Sequence, residues 1–180
     1  MKKDIILAGV GGQGILTIAT IIGDAATVAG LNLKQAEVHG MSQRGGSVVT
    51  YVRFGEKVYS PIVAEGEADF IISFEKLEAA RYASCLAPGG RIIVNTQEID
   101  PMPVLIGKAA YPTDILSELT AKDVLLDAID ALSLAEAAAE KDEVPVGALI
   151  VQGDTVIAEA YNLREASKCA THHAEILAIE

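Results

Sequence analysis

The stretch Ile5-Ile6-Leu7-Ala8-Gly9-Val10-Gly11-Gly12-Gln13-Gly14-Ile15 decides the fold. Four apolar residues in a row, bounded by Asp4 and by glycine, have the composition of a strand buried on both faces of a parallel sheet. Beyond the glycines, Ile15, Ile18, Ile22 and Ala25 recur at helical spacing and Gly30 ends the run, so residues 15–29 are expected to be a helix packed on that sheet. Strand, tight turn and helix in this order aim backbone N–H groups and the helix dipole at one point, where a phosphate is stabilised. Gly9, Gly11 and Gly14 fill a G-x-G-x-x-G spacing, with Gly12 inside it. Residues 31–38 read as the second strand, and Glu37 stands near its end, where an acid meets a ribose in dinucleotide sites. The alternative is that the glycines only let strand and helix approach closely.

A second polar constellation follows at once, Glu37-Val38-His39-Gly40-Met41-Ser42-Gln43-Arg44-Gly45-Gly46. One His, one Ser, one Gln, one Arg and three glycines form a loop rich in hydrogen-bond donors, on the sheet edge where α/β proteins place ligands. Arg44 has the fork geometry to hold a carboxylate or phosphate. The binding residues expected from both loops are Gly9, Gly11, Gly12, Gly14, Glu37, Ser42, Gln43 and Arg44. A loop that satisfies its own polar groups, or those of a neighbouring subunit, is the alternative here.

Further along, residues 47–54 alternate, Gly55-Glu56 reads as a turn and 57–62 returns, which together spell an inserted hairpin. Residues 68–74 are a buried-type strand, 75–86 a short helix closed by Pro88-Gly89-Gly90, and 91–95 another strand. Pro101, Pro103 and Pro112 mark 98–113 as an irregular connection, before a strand at 124–128 and a helix at 131–141. The style then changes to a hairpin, 148–151 and 155–160 around Gln152-Gly153-Asp154, with a helix from Thr171 onwards. The expected fold class is α/β: a three-layer Rossmann-like domain with a mostly parallel sheet and an inserted β-hairpin, plus a C-terminal hairpin–helix appendage.

Composition bounds the functions. Over 180 residues the net charge is −11, which argues against a nucleic-acid partner, because counterion release needs clustered Lys and Arg. With 51% hydrophobic residues there is material for a packed core. Cys85 and Cys169 form no CxxC, which suggests a reducing compartment and is too few thiolates for an iron–sulfur cluster. The start of the chain is too short and too charged for a signal-peptide core. The segment 15–29, carrying Thr17, Thr20 and Asp24, falls short of a membrane span. A cytoplasmic protein with no membrane partner is expected.

The stretches GVGGQGILTIATIIGDAA and EVHGMSQRGGSV, taken together, resemble the beta subunit of indolepyruvate ferredoxin oxidoreductase. More broadly, they resemble the gamma domain of 2-oxoacid:ferredoxin oxidoreductases. The likeness runs on through Tyr59-Ser60, Ala68-Asp69, Glu75-Lys76-Leu77-Glu78-Ala79, Arg81-Tyr82, Asn95-Thr96, Tyr111-Pro112 and Leu134-Ala135-Glu136-Ala137, and so covers residues 1–138. It implies an accessory subunit that is not catalytic alone. In that family the complex oxidatively decarboxylates an aryl 2-oxoacid to an acyl-CoA and reduces ferredoxin. Thiamine diphosphate, iron–sulfur clusters and CoA are then expected in the partner complex, whose large subunit is the partner.

Residues 131–180 resemble the first part of bacterial tRNA adenosine deaminase, of the cytidine/deoxycytidylate deaminase type. The likeness is carried by Glu143-Val144-Pro145-Val146-Gly147-Ala148, Val156-Ile157-Ala158, Asn162-Leu163-Arg164-Glu165 and His173-Ala174-Glu175. That resemblance makes His173 a zinc ligand, Glu175 the proton shuttle and Asn162 a substrate contact. No Pro-Cys-x-x-Cys follows before Glu180, and one His does not hold a catalytic zinc, which takes three protein ligands. The expectation is a domain over 1–138 joined to a truncated deaminase-like fragment over 139–180. The alternatives are an incomplete zinc deaminase module, a simple dinucleotide-binding protein and an inactive chimera.

Overall fold

The computed structural model describes residues 2–40, 46–121, 124–129, 139–141, 147–152, 155–161, 163 and 167. They fall into two compact units, Met1–Ala128 and Ile129–Glu180. In the first, β1 (Lys2–Val10), β2 (Asn32–His39), β3 (Ser47–Gly55), β4 (Ala68–Ser73), β5 (Leu86–Asn95) and β6 (Leu125–Ile129) form one sheet in the order β2-β3-β1-β4-β5-β6. Four helices accompany it, α1 (Ile15–Val28), α2 (Lys76–Tyr82), α3 (Met102–Leu105) and α4 (Ile115–Ala121), with a 3₁₀ turn at Ala83–Cys85.

The sheet is mixed rather than mostly parallel. β1 pairs in parallel with β4, and β4 with β5, whereas β3 runs antiparallel to both β1 and β2. The expected hairpin of 47–54 with 57–62 does not form, since 57–62 contains no strand. Both edges of β3 are already taken, by β1 and by β2, so a third strand has no free ladder to join. The hairpin partner of β3 is β2, and the residues joining them are the second polar motif. Residues 57–62 serve instead as a strap, whose Ile62 carbonyl accepts from the Arg53 guanidinium.

Side-chain parity along β1 produces the three layers. Ile5 and Leu7 face α1, in a cluster with Ile15, Ala19, Val48 and Val52. Ile6 and Ala8 face the other way, onto Val49, Ile71, Ala79, Ile92, Ile115 and Leu119 from the strands, α2 and α4. The buried stripe of α1 is Ile15, Ala19, Gly23 and Ala26, flanked by Ile18 and Ile22, while Ala25 is exposed. Small residues hold the centre of that stripe because the helix lies very close to β2. A Cβ on Gly23 would stand 2.7 Å from Gln35 Nε2 and 2.8 Å from Leu33. The helix ends in a Schellman motif, with the Leu31 N–H on the Ala26 carbonyl and the Gly30 N–H on that of Thr27.

At the amino end of β1 a buried ion network replaces apolar packing. Arg53, 7% exposed, forms a two-pronged pair with Asp4 across the β1–β3 ladder at 2.9 and 2.7 Å, and reaches Glu67 at 3.0 Å. Burial pushes the Asp4 carboxyl up, but the bonds from Arg53 and Lys2 outweigh it and hold it below the usual carboxylate range. Strand β5 begins before the expected 91–95, at Leu86, and takes in Pro88-Gly89-Gly90 through a register shift against β4. The expected strand at 124–128 is β6, one residue displaced.

In the second unit, β7 (Gly147–Gln152) and β8 (Thr155–Tyr161) pair antiparallel, as the sequence predicts, with a register shift after Ile150. Most of the expected helix at 131–141, and that at 171–180, lie outside the described residues. Among the described residues no helix is long and apolar enough to cross a membrane.

Candidate functional site

The carboxyl ends of β1, β2 and β4 and the start of β3 meet at one edge of the sheet, so both polar motifs arrive there. Gly12 (φ 107°) and Gly14 (φ 76°) take left-handed backbone that L side chains resist, and this turns the chain from β1 into α1. Gly14 is the N-cap and has no side chain to donate or accept, and the first turn of α1 carries no acid. The positive end of the helix therefore faces outward without a side-chain counter-charge of its own. The Gly11 N–H is bound by the Gly46 carbonyl at 2.9 Å, which fastens the end of the second motif to the first.

An open cleft of about 460 Å³ lies over this junction. Gly11, Gly12 and Gly14 line one side, Glu37, His39 and Val48 the other. Of the expected binding residues, Gly11, Gly12, Gly14 and Glu37 are thus brought together. Gly9 is not, and its place is beneath the loop. A Cβ there would stand 2.7 Å from Gln13 Oε1, 2.9 Å from Ile15 and 3.1 Å from Phe74. The first glycine of the motif accordingly serves close packing. Ser42, Gln43 and Arg44 lie outside the described residues, as do His173 and Glu175. His39 was part of the motif but was not singled out. Its Nδ1 lies 2.9 Å from the Gly40 carbonyl, which only accepts, so Nδ1 carries the proton in that contact.

Near the cleft stands a group of buried polar residues that the sequence marked only through the family likeness, without a role for any of them. Glu75, fully buried, caps α2 by accepting the Glu78 N–H at 3.0 Å, and its other oxygen accepts from the Ile99 N–H at 3.3 Å and from the Tyr111 hydroxyl. Burial, and then that bond to Glu75, raise the Tyr111 phenol above its ordinary value. Glu78 accepts from the Ser47 hydroxyl at 2.5 Å and faces Arg81 Nε at 3.1 Å. Burial nevertheless pushes its carboxyl above the usual range. Burial also pushes up the Cys85 thiol, which makes it a poor nucleophile. Among the described residues no group of three or more His, Cys, Asp and Glu is placed to hold a metal ion. The two cysteines of the sequence do not fit an iron–sulfur cluster, which takes four thiolates.

A family profile described as pyruvate ferredoxin/flavodoxin oxidoreductase matches residues 4–162. The chain is 51% identical over 125 residues to the indolepyruvate oxidoreductase subunit IorB of Thermococcus kodakarensis, across 68% of this chain and 62% of that one. It therefore spans about six-tenths of that relative's length. A stretch of 51 residues is 45% identical to the tRNA-specific adenosine deaminase of Bacillus subtilis, across 28% of this chain and 32% of that protein. Among solved structures, the pyruvate oxidoreductase subunit PORC of Thermotoga maritima superposes with a TM-score of 0.53 at 18% identity, covering 80% of this chain and 70% of that one. That likeness is one of fold.

Proposed function

The chain belongs to the pyruvate ferredoxin/flavodoxin oxidoreductase family, and from this premise we propose that it is the accessory, gamma-type subunit of a 2-oxoacid:ferredoxin oxidoreductase acting on aryl 2-oxoacids. The observation that carries this reading is the 51% identity to an indolepyruvate oxidoreductase subunit. In the proposed complex an aryl 2-oxoacid and CoA give an acyl-CoA and carbon dioxide, and two electrons pass to ferredoxin. Thiamine diphosphate and the iron–sulfur clusters belong to the large partner subunit. The cleft residues Gly11, Gly12, Gly14 and Glu37 are assigned to the working face of this subunit, with Ser42, Gln43 and Arg44 from the adjoining loop. Its setting is cytoplasmic.

Co-expression with the large thiamine- and cluster-bearing subunit is the test. The two chains are expected to co-purify and to reduce ferredoxin in the presence of indolepyruvate and CoA. The large subunit alone is expected to fall short of that rate. A large subunit equally active without this chain would overturn the reading. Thermal-shift titration with NAD(H), NADP(H) and FAD separates the dinucleotide alternative, since true binding stabilises by mass action.

The 45% identity to a deaminase supports a second, local reading, in which residues 139–180 are a deaminase-like fragment. His173 would then be a zinc ligand and Glu175 a proton shuttle. Less than stoichiometric zinc in the purified chain, with no deamination of adenosine in a tRNA anticodon stem, removes this activity. A chain that neither supports the oxidoreductase nor binds zinc is the inactive chimera.

A further inference from the structure

In doubly wound sheets the ligand crevice opens at the carboxyl ends of two strands whose following connections leave to opposite sides. Here those strands are β1 and β4: α1 packs on one face of the sheet after β1, and α2 packs on the other after β4. That crevice is already filled. Gln13 Oε1 accepts the Val10 N–H at the end of β1 at 2.7 Å, and Gln13 Nε2 donates to the Phe74 carbonyl just past β4 at 2.9 Å. Nε2 lies equally close, at 2.9 Å, to Gln97 Oε1 beyond β5. The Phe74 N–H in turn donates to the Ala8 carbonyl at 2.9 Å. The amide thus bridges three strand ends, and the lack of a Cβ at Gly9 is what leaves room for it.

We propose that Gln13 is the positioning residue of the glycine loop: its carboxamide occupies the switch-point crevice, where a dinucleotide fold seats a pyrophosphate, and fixes the cleft-lining glycines in the geometry the oxidoreductase complex uses. This rests on the accessory-subunit reading. A carboxamide suits the place because Val10 offers a donor and Phe74 an acceptor, and the amide carries one group for each at every pH.

The test uses Gln13→Glu and Gln13→Met in the complex with the large subunit. In Gln13→Glu the ionised side chain still accepts from Val10 but sets a carboxylate oxygen against the Phe74 carbonyl. Gln97 can turn its amide to donate, whereas the Phe74 carbonyl has no such freedom. Once protonated, the new carboxyl donates to Phe74 and restores the pattern. The titratable groups nearby are Glu75 next to Phe74, the paired Lys76 and Glu98 beside Gln97, and Glu37 and His39 across the cleft. Rates are therefore taken as a ratio to wild type at each pH.

Both variants are expected to lose about tenfold in rate near pH ~8, one to two lost hydrogen bonds' worth. Only Gln13→Glu is expected to recover as the pH falls toward ~5.5, a range reached by desolvated carboxyls. A second readout needs no activity. In a stability cycle of Gly9→Ala with Gln13→Ala the two costs are expected not to add, since the nearest group a Cβ at position 9 meets is the amide, at 2.7 Å, ahead of Ile15 at 2.9 Å and Phe74 at 3.1 Å, and Gln13→Ala takes it away. If the Gln13→Glu ratio is flat with pH, or merely follows the folded fraction measured by circular dichroism, the proposal is overturned. If wild type itself forms no active complex, it is the accessory-subunit reading that fails, and additive costs in the stability cycle still overturn the seating of the Gln13 amide against Gly9.

Discussion

Two buried glutamates, three residues apart, show how much one side chain carries in this fold. Glu75 serves three donors from three segments: the start of α2, the chain after β5 and the approach to α4. Glu75→Ala is expected to cost about 2–4 kcal/mol by urea unfolding, about 1 kcal/mol for the lost cap and the rest for buried donors left without an acceptor. Glu75→Gln, which keeps the shape and one carbonyl, is expected to fall between. Glu78 is different in sign. Its carboxyl is raised by burial against the pull of Ser47 and Arg81, so the folded state holds the proton more tightly than the unfolded chain does. Its contribution is fully present below the unfolded value near ~4.3 and is lost as the pH rises through the raised folded value. Glu78→Gln cannot titrate. The stability of wild type relative to E78Q is therefore expected to decline with rising pH across that window, and a difference that stays level would show that Glu78 is not shifted. Asp4, whose shift runs the other way, is common to both proteins and cancels.

At the scale of elements, α1 and β2 make the most demanding contact. Gln35 Nε2 donates to the Ala19 carbonyl at 2.6 Å, reaching into the helix at the point where Gly23 leaves space. Gly23→Val is expected to cost about 1–3 kcal/mol by overpacking, even though glycine is itself poor in a helix interior. Gly23→Ala is expected to cost less in a Gln35→Ala background than in wild type, because one of the two side-chain ends it meets is gone and only the Leu33 side chain, at 2.8 Å, still has to give way. The sequence made β1, α1 and β4 legible, since each has enough apolar residues to set a period. It could not choose the partner of β3, because 31–38 and 57–62 both suit a strand and only the sheet order decides. The site was half legible: glycine spacing and the acid at Glu37 mark one cleft wall each. Gln13, Glu75 and Glu78 stood in stretches that carry the family likeness, but their roles were not legible, since a polar residue in a loop or first turn reads as solvated until a neighbouring segment covers it. Arg53, inside the alternating run 47–54, was silent because nothing in that pattern names the Asp4 it pairs with across the ladder, and Asp4 registered only as a charge interrupting an apolar run.

For the whole molecule the question is how far the first unit stands alone. All six strands of its sheet, and both apolar clusters that cover its two faces, come from residues 2–129. The buried Asp4–Arg53 pair, its exposed partner Glu67 and the Gln13 bridge are likewise closed within them. Cutting after residue 138 therefore removes no strand of this sheet and no member of either cluster. The fragment 1–138 is expected to unfold in urea as one cooperative transition, with the midpoint that the first unit shows in the full chain. Its m-value is expected to be lower than the full chain's total by the share of surface that residues 139–180 expose. The fragment should also capture the large oxidoreductase subunit as well as the full chain does, because the cleft residues and both polar motifs are retained. A fragment that is unfolded by circular dichroism would show that the core draws on residues beyond 138. A folded fragment that no longer captures the partner would instead move the docking surface onto residues 139–180, and with it the role proposed for the glycine-loop face.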